Sequence, residues 1–275
     1  MRNKTIEIHA ANNVAVIWLN RPAVRNALDE TMVTELGSAL ERLQDDDSVR
    51  AVVLAGRGEA FCSGLDLKWV RRMSSASPQA ALRDAHRLTA LFQRLYALNK
   101  PTVARVHGTS YAGALGLIAA CDVAIAAQDA EFCLSEVKVG LAAASIMPYL
   151  VRAIGERQVR RYVLSAELFS AAEAFRIGLI HDLVLGEELD SAVNGLLGKL
   201  LQGAPLAQAK AKEFAVSLTG QTITPATASI SAERFAAVWK SGEGKEGLSA
   251  LIEKRPPAWM GIPATSPTPK KKAAR

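Results

Sequence analysis

Short apolar patterns predict strands through the first half of the chain. Residues 5–9 and 14–19 alternate apolar and polar side chains, which is typical of half-buried strands, and Asn12 and Asn13 between them tolerate the positive φ of a hairpin turn. Residues 51–56 are apolar throughout, as expected for a strand covered on both faces. Further strands are predicted at 102–108, 123–127 and, more weakly patterned, 180–185.

Helices are predicted between these strands from apolar residues spaced three or four apart. One begins after Asp29, a suitable N-cap, and ends at the acidic run 45–47. A second helix carries a leucine stripe that stops before Pro101. A third helix is predicted within the segment 108–120. Beyond residue 145 the patterns are mostly helical to about residue 252. Strands that alternate with helices in this way indicate an α/β fold.

Composition is typical of one large globular unit, and most of the net positive charge lies near the C-terminus. The 275 residues are 49% hydrophobic and 22% charged, enough to bury a core without disulfides or structural metals. The net charge is +6, but residues 265–275 supply +4 of it and leave +2 for the rest. We therefore expect no nucleic-acid partner for the body of the chain, and we predict a mobile basic tail at 261–275.

Cysteine and histidine spacing argues against metal and disulfide chemistry. Cys62, Cys121 and Cys133 form no CxxC pair and lie in apolar surroundings, which predicts buried, reduced thiols and a cytoplasmic location. The four histidines are scattered without ligand spacing, so no metal site is expected. No apolar run reaches the roughly 18 residues of a spanning helix, so we expect no membrane association.

Two glycine-containing segments, 61–67 and 108–116, each follow a predicted strand and precede a helix. Backbone N–H groups are free to bind an anion at such places, and two of them could form an oxyanion hole for a carbonyl that becomes an enolate. Neither segment contains a dinucleotide or P-loop motif. The alternative is that the glycines only permit tight turns, and the glycine spacing alone favours that alternative.

Four segments in order resemble the enoyl-CoA hydratase/isomerase family, the crotonases: NRPAVRNALD (20–29), AFCSGLDLKWV (60–70), GTSYAGALGLIAACDVAIA (108–126) and AEFCLSEVKVGLAAASIMPYLVRAIG (130–155). The resemblance covers roughly residues 5–250. It implies a crotonase-type ββα spiral core over 1–200 and a helical C-terminal oligomerisation region over 201–260. It also implies an acyl-CoA substrate, no metal or redox cofactor, and a homotrimer or homohexamer.

The same resemblance assigns the site residues. The oxyanion hole corresponds to the backbone N–H groups of Leu65 and Gly113, and the acid/base carboxylate to Glu136, whose apolar setting favours a raised pKa. Asp122 resembles a family position to which we assign a structural role. The positions that look like CoA contacts are Arg25, Ala60, Phe61, Asp66 and Lys68, with Arg57 a weaker candidate.

The chain departs from the standard hydratase pattern at one position. A second glutamate is expected five residues before the pair Cys121-Asp122, and Gly116 stands there instead. A single carboxylate suits an isomerase, whereas the sequence in detail looks most similar to bacterial methylglutaconyl-CoA hydratases, a subgroup that shares this glycine. We therefore predict a hydratase, with 3-methylglutaconyl-CoA as a candidate substrate whose distal carboxylate would meet Lys138 or Arg152. The alternatives are a 3-enoyl-CoA isomerase and a noncatalytic acyl-CoA-binding or tail-mediated interaction protein.

Overall fold

A computed structural model describes residues 3–260, so the predicted basic tail lies outside the described residues. The strands are, in chain order, β1 (Ile6–Ala11), β2 (Val14–Leu19), β3 (Ala51–Gly56), β4 (Ala60–Cys62), β5 (Thr102–Val106), β6 (Thr109–Tyr111), β7 (Val123–Ala127), β8 (Glu131–Cys133), β9 (Phe169–Ser170) and β10 (Asp182–Val184). The helices are α1 (Glu30–Gln44), α2 (Leu67–Ser75), α3 (Pro78–Ala97), α4 (Gly113–Ala120), α5 (Met147–Ser165), α6 (Ala171–Ile177), α7 (Leu189–Leu200), α8 (Pro205–Leu218), α9 (Pro225–Lys240) and α10 (Gly242–Glu253).

The strands form two mixed sheets. The larger has the order β1-β2-β3-β5-β7-β10, and only its β1–β2 pair is antiparallel. The smaller has the order β4-β6-β8-β9, with β9 antiparallel to β8. Three strands of the larger sheet, β3, β5 and β7, each lead into a three-residue strand of the smaller one and then toward a helix. This repeated strand, short strand and helix builds the predicted α/β crotonase spiral.

Helices cover both faces of the larger sheet. On one face, α1, α3, α4 and α5 enclose the main core, which includes fully buried Phe61, Phe92 and Tyr162. On the other face, α7 contributes Leu189, Val193 and Leu197 to a smaller cluster against the inner strands. Because apolar side chains cover the inner strands on both faces, β3 is buried over all six of its residues.

The structure differs from the sequence-based elements in two places. The leucine stripe before Pro101 lies on α3, which Ser77 caps at Pro78, and α2 is a separate helix that the patterns did not predict, since Ala76 and Ser77 are extended. The strand predicted at 102–108 ends at Val106, and residues 109–111 cross to the other sheet. Strands of three residues are too short to show an apolar period.

The C-terminal helices follow the core after residue 200. Lys212 on α8 lies 2.8 Å from the Asp122 carboxylate, and Arg50 donates to the Trp259 carbonyl at 2.8 Å. This region leaves large apolar side chains exposed, among them Phe235, Trp239, Leu251 and Ile252. Polar contacts thus attach the helices to the core, while much of their apolar surface remains uncovered in the single chain.

Candidate active site

The two glycine-containing segments meet where backbone approaches backbone. A Cβ placed on Gly64 would lie 2.9 Å from both the Tyr111 carbonyl oxygen and the Ala112 Cβ. Gly64 also has a φ of 92°, in the left-handed region that favours glycine. Glycine is therefore required at position 64, and the close approach brings residues 64 and 65 beside the start of α4.

The N–H of Leu65 is left free by the way its neighbours pair. The Gly64 carbonyl accepts from the Leu28 N–H at 2.7 Å, and the Asp66 N–H donates to the Leu28 carbonyl at 2.9 Å. Since alternate residues of an extended segment direct their N–H groups to opposite sides, the Leu65 N–H points away from Leu28. It has no hydrogen-bond acceptor within residues 3–260.

The second free N–H belongs to Gly113, the first residue of α4. An N–H at this position has no partner inside the helix and lies at the positive end of the helix dipole. Ala112, which precedes it, has φ 51° and ψ −119°, a strained conformation for a residue with a Cβ. The Ala112 carbonyl, on the same peptide as the Gly113 N–H, accepts from the Leu115 N–H at 3.0 Å, which orients that peptide.

The interpretation of the glycines as permitting close approaches holds for two of them, and the oxyanion hole stays a prediction. Gly64 and Gly108 permit tight approaches, since a Cβ on Gly108 would lie 2.0 Å from the Glu59 carbonyl oxygen. Gly113 meets no such obstacle, its nearest neighbour being Leu28 Cδ1 at 3.5 Å and the next Leu65 Cδ2 at 4.0 Å. A Cβ on Gly113 would thus lie near the Leu65 side chain, so the two residues predicted to supply the oxyanion donors are on neighbouring segments.

Glu136 lies at the same edge of the smaller sheet. Tyr111 on β6 pairs with Cys133 on β8, so Gly113 and Glu136 follow neighbouring parallel strands by two and three residues. The Glu136 Oε2 is buried and has no hydrogen-bond partner in the described part of the chain. Burial raises the pKa of the Glu136 carboxyl above its usual value, although the residue's own N–H opposes this. A carboxylate in this state is available for proton transfer.

Position 116 provides no second carboxylate and no room for one. Gly116 lies one turn along α4 from Gly113, and a Cβ placed on it would lie 2.1 Å from Ile146 Cγ2. The packing thus leaves no space for a carboxylate at position 116, and Glu136 stays the predicted acid/base group.

Known proteins resemble this chain over most of its length. The family model described as enoyl-CoA hydratase/isomerase matches residues 9–262. The chain belongs to the enoyl-CoA hydratase/isomerase family. A relative from Thermus thermophilus is 38% identical over 246 residues, 89% of this chain and 96% of its own length. The crotonyl-CoA hydratase of Syntrophomonas wolfei is 30% identical over 261 residues, 93% of this chain and 97% of its own.

Solved structures of the family show the same fold. The crystal structure of an enoyl-CoA hydratase from Shewanella pealeana superposes with a TM-score of 0.92 at 38% identity, covering 94% of this chain and 97% of that one. The chain is accordingly an enzyme of the enoyl-CoA hydratase class, a hydro-lyase for CoA thioesters. This excludes the noncatalytic alternative as the description of its core.

A buried asparagine that sequence reasoning missed holds the first family motif to the second. The Asn26 amide donates to the carbonyls of Arg57 and Ala60, both at 2.8 Å, and to that of Phe61 at 3.3 Å. Arg21, in the same motif, lies 2.9 Å from the Asp66 carboxylate and 3.2 Å from that of Asp29. The sequence feature that could have indicated this role is the segment 20–29, which lacks an apolar period. The backbone N–H and carbonyl groups of such a segment need hydrogen bonds to side chains.

The predicted CoA contacts divide into exposed and engaged residues. Arg25 and Lys68 are exposed, and the Arg25 carbonyl accepts from the Ser63 N–H at 2.9 Å, beside the Leu65 donor. Asp66 instead caps α2 and pairs with Arg21, so its carboxylate already has partners. The side chains of Ala60 and Phe61 lie in the core, which leaves only their backbone for a ligand. The predicted contacts of Arg25 and Lys68 with CoA stay predictions.

The weaker candidate Arg57 lies elsewhere. Its guanidinium is 4.0 Å from the centre of the Trp18 ring and 2.6 Å from the Glu7 carboxylate. Asp122 has the structural role assigned to it, since its carboxylate accepts from the Thr102 N–H and hydroxyl at 2.7 and 2.8 Å. Both residues are therefore occupied by contacts within the chain.

The remaining features concern chemistry that the site does not use. All three cysteines are free and buried, and burial raises the pKa of the Cys62 and Cys121 thiols to about 12. Among residues 3–260 there is no group of three His, Cys, Asp or Glu side chains placed to hold a metal ion. None of the described helices is both long and apolar enough to span a bilayer.

Proposed function

We propose that the chain hydrates the C2=C3 double bond of a branched 2-enoyl-CoA thioester, with 3-methylglutaconyl-CoA as the candidate substrate. The observation that carries the proposal is that the Glu136 Oε2 is buried without a hydrogen-bond partner in the described residues, while the N–H groups of Leu65 and Gly113 have no acceptor there. These three groups suffice for addition of water through an enolate.

In the proposed reaction Glu136 accepts a proton from water as the water oxygen bonds to C3. The electron pair of C2=C3 moves toward the carbonyl, and the thioester oxygen gains the negative charge. The N–H groups of Leu65 and Gly113 donate to that oxygen, each donor supplying on the order of 3 kcal/mol of transition-state stabilisation. Glu136 then delivers its proton to C2, which restores the carbonyl and completes the addition of one water molecule.

Lys138 is the preferred partner for a distal carboxylate on the acyl chain. It lies two residues beyond Glu136 in the same 3-10 turn, and its exposed side chain forms no ion pair with any described residue. Arg152, the other candidate, is on α5 with its guanidinium 5.7 Å from the centre of the Tyr96 ring. Lys138 is therefore both nearer to Glu136 along the chain and less engaged.

Substrate screening in D2O tests the proposed reaction. Purified protein is offered 3-methylglutaconyl-CoA, crotonyl-CoA and a 3-enoyl-CoA, and the products are identified by mass spectrometry. We expect a 3-hydroxyacyl-CoA that carries one deuterium at C2, formed fastest from the branched substrate. Isomerised product without any hydroxyacyl-CoA would instead identify an isomerase.

Charge removal tests the acyl assignment. Lys138→Ala should raise KM for 3-methylglutaconyl-CoA and leave KM for crotonyl-CoA unchanged, because only the former carries a free carboxylate on its acyl chain. Lys199→Ala, an exposed lysine on α7, is the matched control. Equal effects of Lys138→Ala on both substrates would refute the assignment of this residue.

The quaternary state and the location of the protein are also proposals. The exposed apolar side chains on α9 and α10, including Phe235 and Leu251, support assembly into a homotrimer or homohexamer. A cytoplasmic location rests on the buried, unpaired cysteines alone.

A further inference from the structure

The space beside Gly116 is filled by two apolar side chains. A Cβ placed on Gly116 would lie 2.1 Å from Ile146 Cγ2, 2.8 Å from Ile146 Cβ and 3.0 Å from Phe92 Cε1. Real Cβ contacts are essentially never shorter than 3.0 Å. Any larger residue at position 116 therefore requires Ile146 to move.

Ile146 is held firmly in this place. It is the N-cap of α5 and is 1% exposed. Its carbonyl accepts from the N–H groups of Tyr149 and Leu150 at 3.1 and 3.2 Å, and its own N–H donates to the Ala143 carbonyl at 3.2 Å. Phe92, on α3, is also fully buried. Displacing either side chain requires a shift of α3 or α5, and both helices are closely packed in the core.

Position 116 lies on the same side of α4 as the oxyanion donor. Residues three apart on a helix share a face, so Gly113 and Gly116 are neighbours along it. A Cβ on Gly113 would approach Leu28 and Leu65, whereas a Cβ on Gly116 would approach Ile146 and Phe92. The face of α4 that begins at Gly113 is therefore covered by apolar side chains at its next turn, around Gly116.

We propose that Ile146 takes the place of a second carboxylate and restricts the enzyme to acid/base chemistry by Glu136 alone. The inference rests on the proposed hydration, but its steric part does not depend on the substrate. Whether position 116 can hold a carboxylate then depends on two residues, Gly116 and Ile146, that are thirty positions apart. A carboxylate at 116 becomes compatible with the fold only when Ile146 is removed.

A stability cycle tests the steric coupling. Gly116→Ala alone should lower Tm by about 5 °C because it overpacks the site. In the background of Ile146→Gly, which removes the two nearest atoms and leaves an acceptable N-cap residue, the same change should cost much less, since only the Phe92 Cε1 contact at 3.0 Å remains. Gly195→Ala on α7 is the control, since nothing lies within 4 Å of its added Cβ. Equal costs of Gly116→Ala in both backgrounds would overturn the proposal.

A second cycle tests the chemistry. Glu136→Gln with Ile146→Gly is compared with the same pair plus Gly116→Glu, by following deuterium exchange into crotonyl-CoA in D2O. We expect the added glutamate to raise exchange at least about tenfold, as a positioned acid/base group does. A folded triple variant without this gain, or a triple variant that fails to fold while its parent folds, would overturn the proposal.

The two proposals fail in distinguishable ways. If no enoyl-CoA is hydrated by the unmodified protein, the proposed function fails while the stability cycle still reports on Ile146. If hydration occurs and Gly116→Ala shows no dependence on Ile146, only the further inference fails.

Discussion

Replacing Glu136 by glutamine should raise stability and abolish most of the activity. The Glu136 Oε2 is buried without a partner, and burial raises the pKa of the carboxyl. Folding therefore costs free energy whenever the carboxyl is ionised, about 1.4 kcal/mol for each pKa unit that separates the folded from the unfolded state. We expect Glu136→Gln, which removes the charge but keeps the shape, to stabilise the protein by about 1–2 kcal/mol at pH 8.

The sign of the pH dependence follows from the direction of the shift. A folded-state pKa above the unfolded value means that the penalty is absent below the unfolded pKa, where both states are protonated. The penalty grows as pH rises and is complete above the folded-state pKa. The stability gain of Glu136→Gln should therefore be present at pH 8 and disappear near pH 4.

Activity should change in the opposite direction. Loss of a general acid/base group lowers the rate about 10²- to 10⁴-fold, which corresponds to about 2.7–5.5 kcal/mol in the transition state. The enzyme's own rate should fall as pH drops through the Glu136 pKa, because water attack requires the ionised carboxylate.

Urea unfolding at pH 4 and pH 8, together with the rate of loss of the enoyl-thioester absorbance, measures both effects. Glu131→Gln is the matched control, since Glu131 begins β8 five residues earlier and is exposed. The reasoning is refuted if Glu136→Gln destabilises the protein at pH 8 or lowers the hydration rate less than about tenfold.

Three further predictions concern other parts of the chain. Ala112→Gly should stabilise the protein by about 1 kcal/mol in urea unfolding, because relief of the strained φ of 51° exceeds the added chain entropy; destabilisation would show that Ala112 is not strained. The double variant Arg25→Ala, Lys68→Ala should raise KM for acyl-CoA severalfold at low salt and leave kcat unchanged. If KM changes neither in this variant nor with ionic strength, Arg25 and Lys68 are excluded as phosphate contacts. Leu251→Lys, at a side chain 75% exposed on α10, should reduce the mass measured by light scattering if this helix lies in a subunit interface, and an unchanged oligomer would exclude it from one.

Local sequence patterns were sufficient where an element is decided by its own residues. The hairpin at Asn12 and Asn13 has φ of 51° and 63°, as those residue types allow, and Asp29 caps α1 by accepting from the Met32 N–H at 2.8 Å. Both depend on contacts between residues within a few positions of each other. The buried, free cysteines likewise follow from apolar neighbours.

The active site could be assigned from sequence only through resemblance to a family. Leu65 and Gly113, the predicted oxyanion donors, belong to segments about fifty residues apart, and these segments come close because Gly64 lets two backbones approach. Asn26, which holds the first motif to the carbonyls of residues 57, 60 and 61, carried no pattern of its own. Contacts between distant segments leave no period in a single sequence.

Position 116 shows most clearly which properties depend on the sequence alone and which depend on the tertiary structure. The sequence by itself determined that a carboxylate is missing there, because Gly116 has no side chain. Only the tertiary structure decided what occupies its place, since Ile146 reaches position 116 through the packing of α5 against α4. The physical reason is that residue identity is local information, whereas the volume around a residue is set by whatever the fold brings beside it.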